Sequence, residues 1–445
     1  MKTQQKSLLR ERMGRAAAAA FVCAVTALMI PACRVQGESA DDQSGGKVPS
    51  YSTAYRVIID ESVEGKVSAG AYSSPKNASV ELIVAAGFEL DDGAALTVTG
   101  LNDDTDEIEL TAVPETTNRF TFTMPAQDVV VHALFKPSVP MAQADGGVEP
   151  VYVNNGAAGD YDEVFVFRVN GSTNTYNLNL TRAPEENSVR IFMVAGGGGG
   201  GKSGGGDLPG SGGGAGGVVK IPNTTLLVGQ YVITVGKGGT GGTIFSNSYT
   251  IDQTAGRSGG NSSISANNSP LWTALGGGNG GSHTGGNGGV GAPGGSGGGS
   301  YQGGGSGTWP KLNGVDGGKG TSGQGKDGGI HSGNSSAGGG GYKSAGLAAG
   351  YNAGSPNARG GQGIDKTDAE IAAILEGIVV TPALPDGYAG GGAGGGNNST
   401  SSHGGGRRAI GSAHTGGGGG GGSSSNGYAG GSGIVVIRYK YQQPE

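Results

Sequence analysis

The stretch Ser188-Val-Arg-Ile-Phe-Met-Val-Ala195 runs without interruption into six consecutive glycines, Gly196 to Gly201. A short apolar run rich in β-branched and aromatic residues predicts a strand. Six glycines cannot extend a packed strand, because they bury no side chain and lose the most backbone freedom on ordering. The junction therefore marks a change in what holds the chain together. Of the 99 glycines, 85 lie beyond Ala195, so the break is one of domain composition rather than a local turn. With only 34% hydrophobic and 6% aromatic residues, the 445-residue chain has no conventional apolar core throughout.

On either side of this junction other strand patterns appear. Val164-Phe-Val-Phe-Arg-Val169 precedes it; Val218-Val-Lys-Ile221, Tyr231-Val-Ile-Thr-Val235 and Asn261-Ser-Ser-Ile264 follow, and Ile434-Val-Val-Ile-Arg-Tyr439 closes the glycine-laden stretch. Strands at both ends bracket the glycine tracts, which predicts a domain over residues 151–441 closed by pairing its termini. Collagen is excluded, since it requires glycine strictly at every third position with abundant proline, and the runs here are irregular. Glycine can instead adopt an extended helix of three residues per turn, in which neighbouring backbones approach closely enough to hydrogen-bond laterally. Trp272, Tyr301, Trp309, Tyr342 and Tyr351 are scattered through these tracts, a residue type that flexible linkers seldom carry. Asp365 to Glu376 breaks the pattern: Thr367 and Glu370 fit a capping box, and Ile371, Ile374 and Leu375 share a helical face. One short inserted helix is predicted there, covering an end of the glycine bundle.

Residues 160–441 resemble the bacterial glycine-rich domain family. The resemblance rests on Phe192-Met-Val-Ala-Gly-Gly-Gly-Gly199, Gly214-Ala-Gly-Gly-Val218, Gly229-Gln-Tyr-Val-Ile-Thr-Val-Gly236, Gly259-Gly-Asn-Ser-Ser263, Thr273-Ala-Leu-Gly-Gly-Gly278 and Gly430-Gly-Ser-Gly-Ile-Val-Val-Ile-Arg-Tyr439. Similar bodies occur in phage tail-fibre tip adhesins and in the anaplastic lymphoma kinase receptor family. The resemblance implies a β-sandwich-like domain with a polyglycine II bundle, used for extracellular binding or display.

Upstream, residues 51–137 alternate with period two. Tyr55–Ile59, Gly65–Ala69, Ser79–Ala85, Leu96–Thr99, Phe120–Met124 and Val129–Phe135 predict a small β domain. In its closing segment Pro125 ends one strand and Asp128 is expected to cap the following turn. The module resembles divergent internalin-type B-repeats of bacterial surface proteins through Tyr55-Arg-Val, Gly65-Lys-Val and Phe122-Thr-Met-Pro125-Ala-Gln-Asp128-Val-Val-Val131. That resemblance implies a spacer or contact module. Residues 138–150 are expected to be a linker and 442–445 a tail. The fold class predicted for the whole is all-β with one short helix.

The first 15 residues carry Lys2, Lys6, Arg10, Arg12 and Arg15 against Glu11, and Ala16 to Ile30 are uncharged. This is the pattern of a secretory signal, and the apolar run falls short of the roughly 20 residues that span a bilayer. Ile30-Pro31-Ala32-Cys33 resembles the lipobox of bacterial lipoproteins, with Pro31 a departure from the common pattern. The resemblance implies removal of residues 1–32, lipidation of Cys33 and a membrane anchor, with 33–50 as a flexible tether. Cleavage leaves 24 basic against 34 acidic residues, a net charge of −10 that argues against nucleic acid as a partner.

No chemistry is expected. Cys23 and Cys33 are the only cysteines and both sit at the N-terminus, so the mature chain has no disulfide framework. Gly196 to Ser203 matches the phosphate-binding loop letter for letter, but the glycines after Lys202 cannot start the helix that such a loop requires. His132, His283, His331, His403 and His414 stand singly, without metal-ligand spacing. Asp103, Asp104, Asp106 and Glu107 read as a solvated hairpin tip rather than a calcium loop. The expectation is a non-catalytic, cell-envelope lipoprotein without cofactor or metal, lying at the outer membrane or cell surface. It would act as an adhesin or ligand-binding module toward a host or cell-surface protein or glycan, the alternative being a purely structural spacer. Trp272, Tyr301 and Trp309 are the candidate ligand contacts, because aromatic rings offer area to sugars and proteins.

Overall fold

A computed structural model describes residues 53–442, apart from 61–62, 64–65, 86–87, 91–95, 102, 117, 134, 138, 156–159, 204–208, 244–255, 283–288, 302–315, 332–335, 348–357, 396–399 and 424–425. The expected leader (1–32), the expected tether (33–50) and Cys33 lie outside the described residues, as do Trp309, Tyr351 and His283.

The small module contains β1 (Ala54–Ile59), β2 (Val67–Ala69), β3 (Ser73–Pro75), β4 (Ser79–Val84), β5 (Phe88–Leu90) and β6 (Thr97–Gly100). It continues with β7 (Asp103–Ile108), β8 (Thr111–Ala112), β9 (Arg119–Thr123), β10 (Val129–His132) and β11 (Phe135–Pro137). One sheet has the order β3-β1-β10-β6-β7, another β2-β4-β9-β8, and β5 pairs with β11. Alternate residues such as Val80, Leu82 and Val84 from β4 and Val129 and Val131 from β10 share one apolar core. Two expectations change here. The acidic run is strand β7, paired against β6 with Glu107 opposite Thr99, not a hairpin tip. Asp128 does not cap its own turn: its carboxylate accepts the Arg56 amide at 2.7 Å and the Arg56 Nε at 2.8 Å, which ties β1 beside β10. The Arg56 amide, with its side chain, holds the Asp128 carboxyl below its ordinary range.

The second body begins earlier than 151. Within the expected linker, β12 (Ala142–Ala144) is an edge strand paired with residues 178–180, and Met141 is buried. There follow β13 (Val151–Asn154), β14 (Tyr161–Arg168), β15 (Thr175–Leu180), β16 (Val189–Val194), β17 (Val218–Thr224), β18 (Gly229–Thr234), β19 (Ser262–Ala266) and β20 (Ser269–Ala274). A two-residue pair, β21 (Ile364–Asp365) and β22 (Gly387–Tyr388), flanks helix α1 (Ala369–Leu375), and β23 (Ile434–Lys440) closes the chain. Two five-stranded sheets result, β12-β15-β18-β19-β20 and β13-β14-β23-β16-β17. The second is closed by its termini as expected: β23 lies between β14 and β16, antiparallel to both, with Phe165 opposite Ile437 and Phe192 opposite Val436.

Both faces of this second sheet are covered. Tyr161, Phe165, Phe167, Ile191, Met193, Val435 and Ile437 meet Tyr176, Leu178, Tyr231, Ile233 and Ile264 of the first sheet in one core. Val164, Phe192, Val194, Ile434 and Val436 point the other way and pack with Ile371, Ile374 and Leu375 of α1. The apolar face of the helix is the one expected, but it covers a sheet rather than an end of the bundle. Its N-cap is Asp368, not Thr367, with the side chain accepting the Glu370 amide at 3.2 Å. Two sheet arginines reach its last turn: Arg190 donates to the Ala373 carbonyl at 3.0 Å and Arg438 to the Glu376 carbonyl at 2.7 Å. Both also bind the buried Asp162 carboxylate, at 2.9 and 2.5 Å.

The glycine tracts grow from the strand ends. Val194 leads into 196–201, 210–217 returns to Val218, Thr234 leads into 236–242, and 256–260 returns to Ser262. Likewise Ala274 leads into 276–281, and 427–433 runs into Ile434. Hydrogen bonds from 196–201 repeat every third residue. Gly196 and Gly199 donate to Gly260 and Arg257; Gly197 and Gly200 donate to Gly431 and Tyr428; Gly198 and Gly201 donate to Gly214 and Ser211. The carbonyls of the same residues follow the same period toward three further segments. Gly196 and Gly199 accept from Gly277 and Gly280, Gly197 and Gly200 from Gly239 and Gly242, Gly198 and Gly201 from Gly419 and Gly422. These bonds span 2.8–3.0 Å, and one segment is thus surrounded by six others.

Such spacing leaves no room for side chains. A Cβ on Gly198 would lie 2.2 Å from the Gly278 carbonyl oxygen, and one on Gly214 2.2 Å from that of Ser296. Gly198→Ala is therefore expected to lower the unfolding free energy by about 1–3 kcal/mol, the usual effect of overpacking. Gly70→Ala, whose Cβ would meet nothing closer than 3.6 Å, should stay within about 0.5 kcal/mol in the same urea titration. Asp162→Ala strands two arginines beneath α1 and should cost about 3–5 kcal/mol, with loss of helical ellipticity in the same series.

Candidate ligand-binding site

The aromatic contacts expected from sequence fare differently. Trp272 sits on β20, an edge strand opposite Ile264, half-buried against the sandwich core beside the exposed Leu271. Tyr301 is a correction: its side chain is fully buried among the glycine segments and cannot meet a ligand at the surface. Burial pushes the ionisation of its phenol well up.

The phosphate-loop lookalike is occupied by its own neighbours. All six amides of Gly196 to Gly201 already donate to carbonyls of other segments, so none is left to cradle a phosphate. The described histidines make separate local contacts: His331 with Ser300 at 3.3 Å, His403 with Asp365 at 3.2 Å, His132 with Asp60 at 3.7 Å. Among the described residues no three His, Cys, Asp or Glu side chains converge as metal ligands would.

Two buried carboxylates lie side by side on β14 and point to opposite faces. Asp162 serves the arginines under α1. Glu163 enters the sandwich, where it accepts the Met141 amide at 3.0 and 3.1 Å and the Tyr152 hydroxyl at 3.3 Å. Burial dominates and pushes its carboxyl up to about 7, against the Tyr439 hydroxyl, the Met141 amide and Tyr152, which favour the anion. This bond joins β14 to the chain leading into β12, so it locks the edge of the sandwich.

A cavity of about 460 Å³ opens on the outer face of the second sheet, a size suited to a small ligand. Its walls include Gly146, Val151, Val166, Arg168, Val379 and His414. The strand alternation puts Arg168, the last residue of β14, on this outer face. Its position is fixed twice, as the Tyr176 hydroxyl donates to the Arg168 carbonyl and Arg168 Nη1 donates to the Pro382 carbonyl at 2.6 Å. The Nε and Nη2 atoms are shut from solvent and have no hydrogen-bond partner among the described residues. Burial lowers the arginine's proton affinity, while the nearby Tyr388 opposes that shift. Tyr388 is fully buried, and its hydroxyl likewise has no hydrogen-bond partner among the described residues. His414 lines the same cavity with φ +62°, in the left-handed region, its amide donating to Ser432 Oγ at 3.0 Å. Burial, then Arg168, lowers the His414 pKa and favours the neutral ring. Gly146, at φ +68°, lets the wall pass the Tyr176 ring, which a Cβ would meet at 2.9 Å.

Nothing in the sequence singled out Arg168. It is one arginine at the end of a strand, and its isolation arises only where the 379–382 loop and His414 meet it.

The family model described as Glycine-rich domain matches residues 171–440, more than half of the chain. No curated protein matches it.

The raised Glu163 carboxyl gives a pH signature with a definite sign. Its folded pKa exceeds its unfolded one, so the stabilisation is complete below the ordinary glutamate range and is lost as pH rises through about 7. Unfolding midpoints of the parent should fall by an amount equivalent to on the order of 2–3 kcal/mol between pH 4.5 and 8 relative to Glu163→Gln, which lacks the titration. Parallel pH curves for the two proteins would remove Glu163 from this role.

Proposed function

The chain belongs to the glycine-rich domain family, and from that premise we propose that it is an exported cell-envelope lipoprotein whose glycine-rich body is displayed at the surface as a non-catalytic adhesin or ligand-binding module. The observation that carries the reading is the three-residue period of lateral hydrogen bonds around 196–201. It supports a polyglycine II bundle, a stiff body built from backbone alone that leaves its loops to variation and contact. The basic leader followed by an apolar run supports export, and Ile30-Pro31-Ala32-Cys33 supports a lipid anchor at Cys33. The B-repeat-like module would then act as the spacer between anchor and glycine-rich body. Trp272, half-exposed on an edge strand, is the remaining described aromatic candidate for contact with a protein or glycan.

Palmitate-analogue labelling of the parent and of Cys33→Ala tests the anchor: label on the parent and none on the variant is expected. Protease shaving of intact cells should release the glycine-rich body, and Trp272→Ala should weaken attachment to a host-matrix or glycan array about tenfold. A protein that resists shaving, or that attaches to no array, leaves the structural spacer as the better account.

A further inference from the structure

The two sheets of the glycine-rich body distribute charge in reverse of the usual order. The second sheet, covered on both faces, carries Asp162, Glu163, Arg190 and Arg438 within its strands. The five strands of the first sheet contain no Asp, Glu, Lys or Arg. Yet its outer face is open to solvent: Thr175, Asn177 and Asn179 of β15 are exposed, whereas Tyr176, Leu178 and Leu180 between them are buried. Register carries that face across the sheet. Gln143 stands opposite Asn179 and Asn179 opposite Gln230, a row of amides; Thr175, Thr234, Ser263 and Thr273 form a row of hydroxyls. Val232, at 36%, and Leu271, at 44%, add exposed apolar surface. Charges at the rim are engaged: the Asp145 carboxylate accepts the Asn177 amide at 2.9 Å and its side chain at 2.6 Å, and Lys237 donates to the Ser172 carbonyl at 2.7 Å.

Exposed protein surface ordinarily holds about a quarter to a third charged residues. Without cations this face offers nothing to nucleic acid or a sulfated glycan. It also lacks the exposed aromatics and arginines that anchor protein interfaces: Tyr176 and Tyr231 are buried in the core, and Trp272 pairs with the buried Ile264. What it presents is amides and hydroxyls, groups that both donate and accept, on strands about 4.7–4.9 Å apart. Sugar hydroxyls have the same dual character. Each such bond replaces one with water and contributes little, so binding has to accumulate along a repeating chain.

We propose that the outer face of the first sheet binds an uncharged polysaccharide, its amide and hydroxyl rows exchanging hydrogen bonds with sugar hydroxyls while Val232 and Leu271 meet the apolar faces of the rings. The proposal rests on the reading of the body as a ligand-binding module, and names a ligand class and a surface for it.

Affinity electrophoresis of the purified full-length protein tests it, in native gels carrying dextran, laminarin, mannan or heparin. At least one of the three neutral polymers should retard the protein and heparin should not. Val232→Lys should weaken the retardation about tenfold, and the isosteric Gln230→Glu, which leaves packing untouched, about threefold. Val379→Lys, at a position 84% exposed beside the second sheet, adds the same charge elsewhere and should leave it unchanged. No retardation by any neutral polymer, equal retardation by heparin, an undiminished effect in Val232→Lys or Gln230→Glu, or an equal loss in Val379→Lys overturns the proposal. Retardation lost in Trp272→Ala but kept in both face variants moves glycan binding to the edge strand, so the module reading stands while this surface is excluded.

Discussion

The lateral hydrogen bond between glycine backbones is the interaction on which the larger part of the molecule depends. In a conventional domain, apolar side chains leave water and the backbone bonds within strands and helices follow. In the tracts around 196–201 there is no side chain to bury, and each peptide group points at a different neighbour with a period of three residues. The 196–201 segment is held by six others together, which makes its place in the body cooperative despite its composition. Glycine is required here for a steric reason. Cβ atoms on Gly196, Gly199, Gly200 and Gly276 would each fall within 2.0 Å of a carbonyl oxygen in another segment.

Such a body cannot organise itself from composition alone, because ordering glycine costs more backbone entropy than ordering any other residue. The β-sandwich supplies the missing alignment. Strands whose side chains are locked in two cores deliver the tracts at one end with fixed register, as where Val194 leads into Gly196 and Gly217 returns into Val218. The pairing of β14 with β23 closes the circuit by bringing residues 162–168 and 434–440 together. Helix α1 then covers the sheet face that the sandwich leaves bare, anchored by Arg190 and Arg438 through its last carbonyls.

The sites follow from the same alternation. On β14, Glu163 turns inward and locks the Met141 backbone, whereas Asp162 and Arg168 turn outward. Asp162 finds two arginines. Among the described residues Arg168 finds one loop carbonyl, that of Pro382.

Much of the scaffold was legible in the sequence. The apolar run before Gly196, the closing Ile434–Tyr439 strand and the face of Ile371, Ile374 and Leu375 are patterns of side-chain type and spacing, which local sequence carries directly. The buried Tyr301, the Asp128 clamp on Arg56, the Asp368 cap and the Arg168 contact with the Pro382 loop were not legible. Each depends on which distant segment arrives beside it. Sequence by itself determined that the chain alternates between strands and glycine tracts, since period and composition are local properties. Only the tertiary structure decided which segments surround which and where α1 lies, because lateral backbone bonds are chemically identical along a glycine tract and register comes from the strands that deliver it.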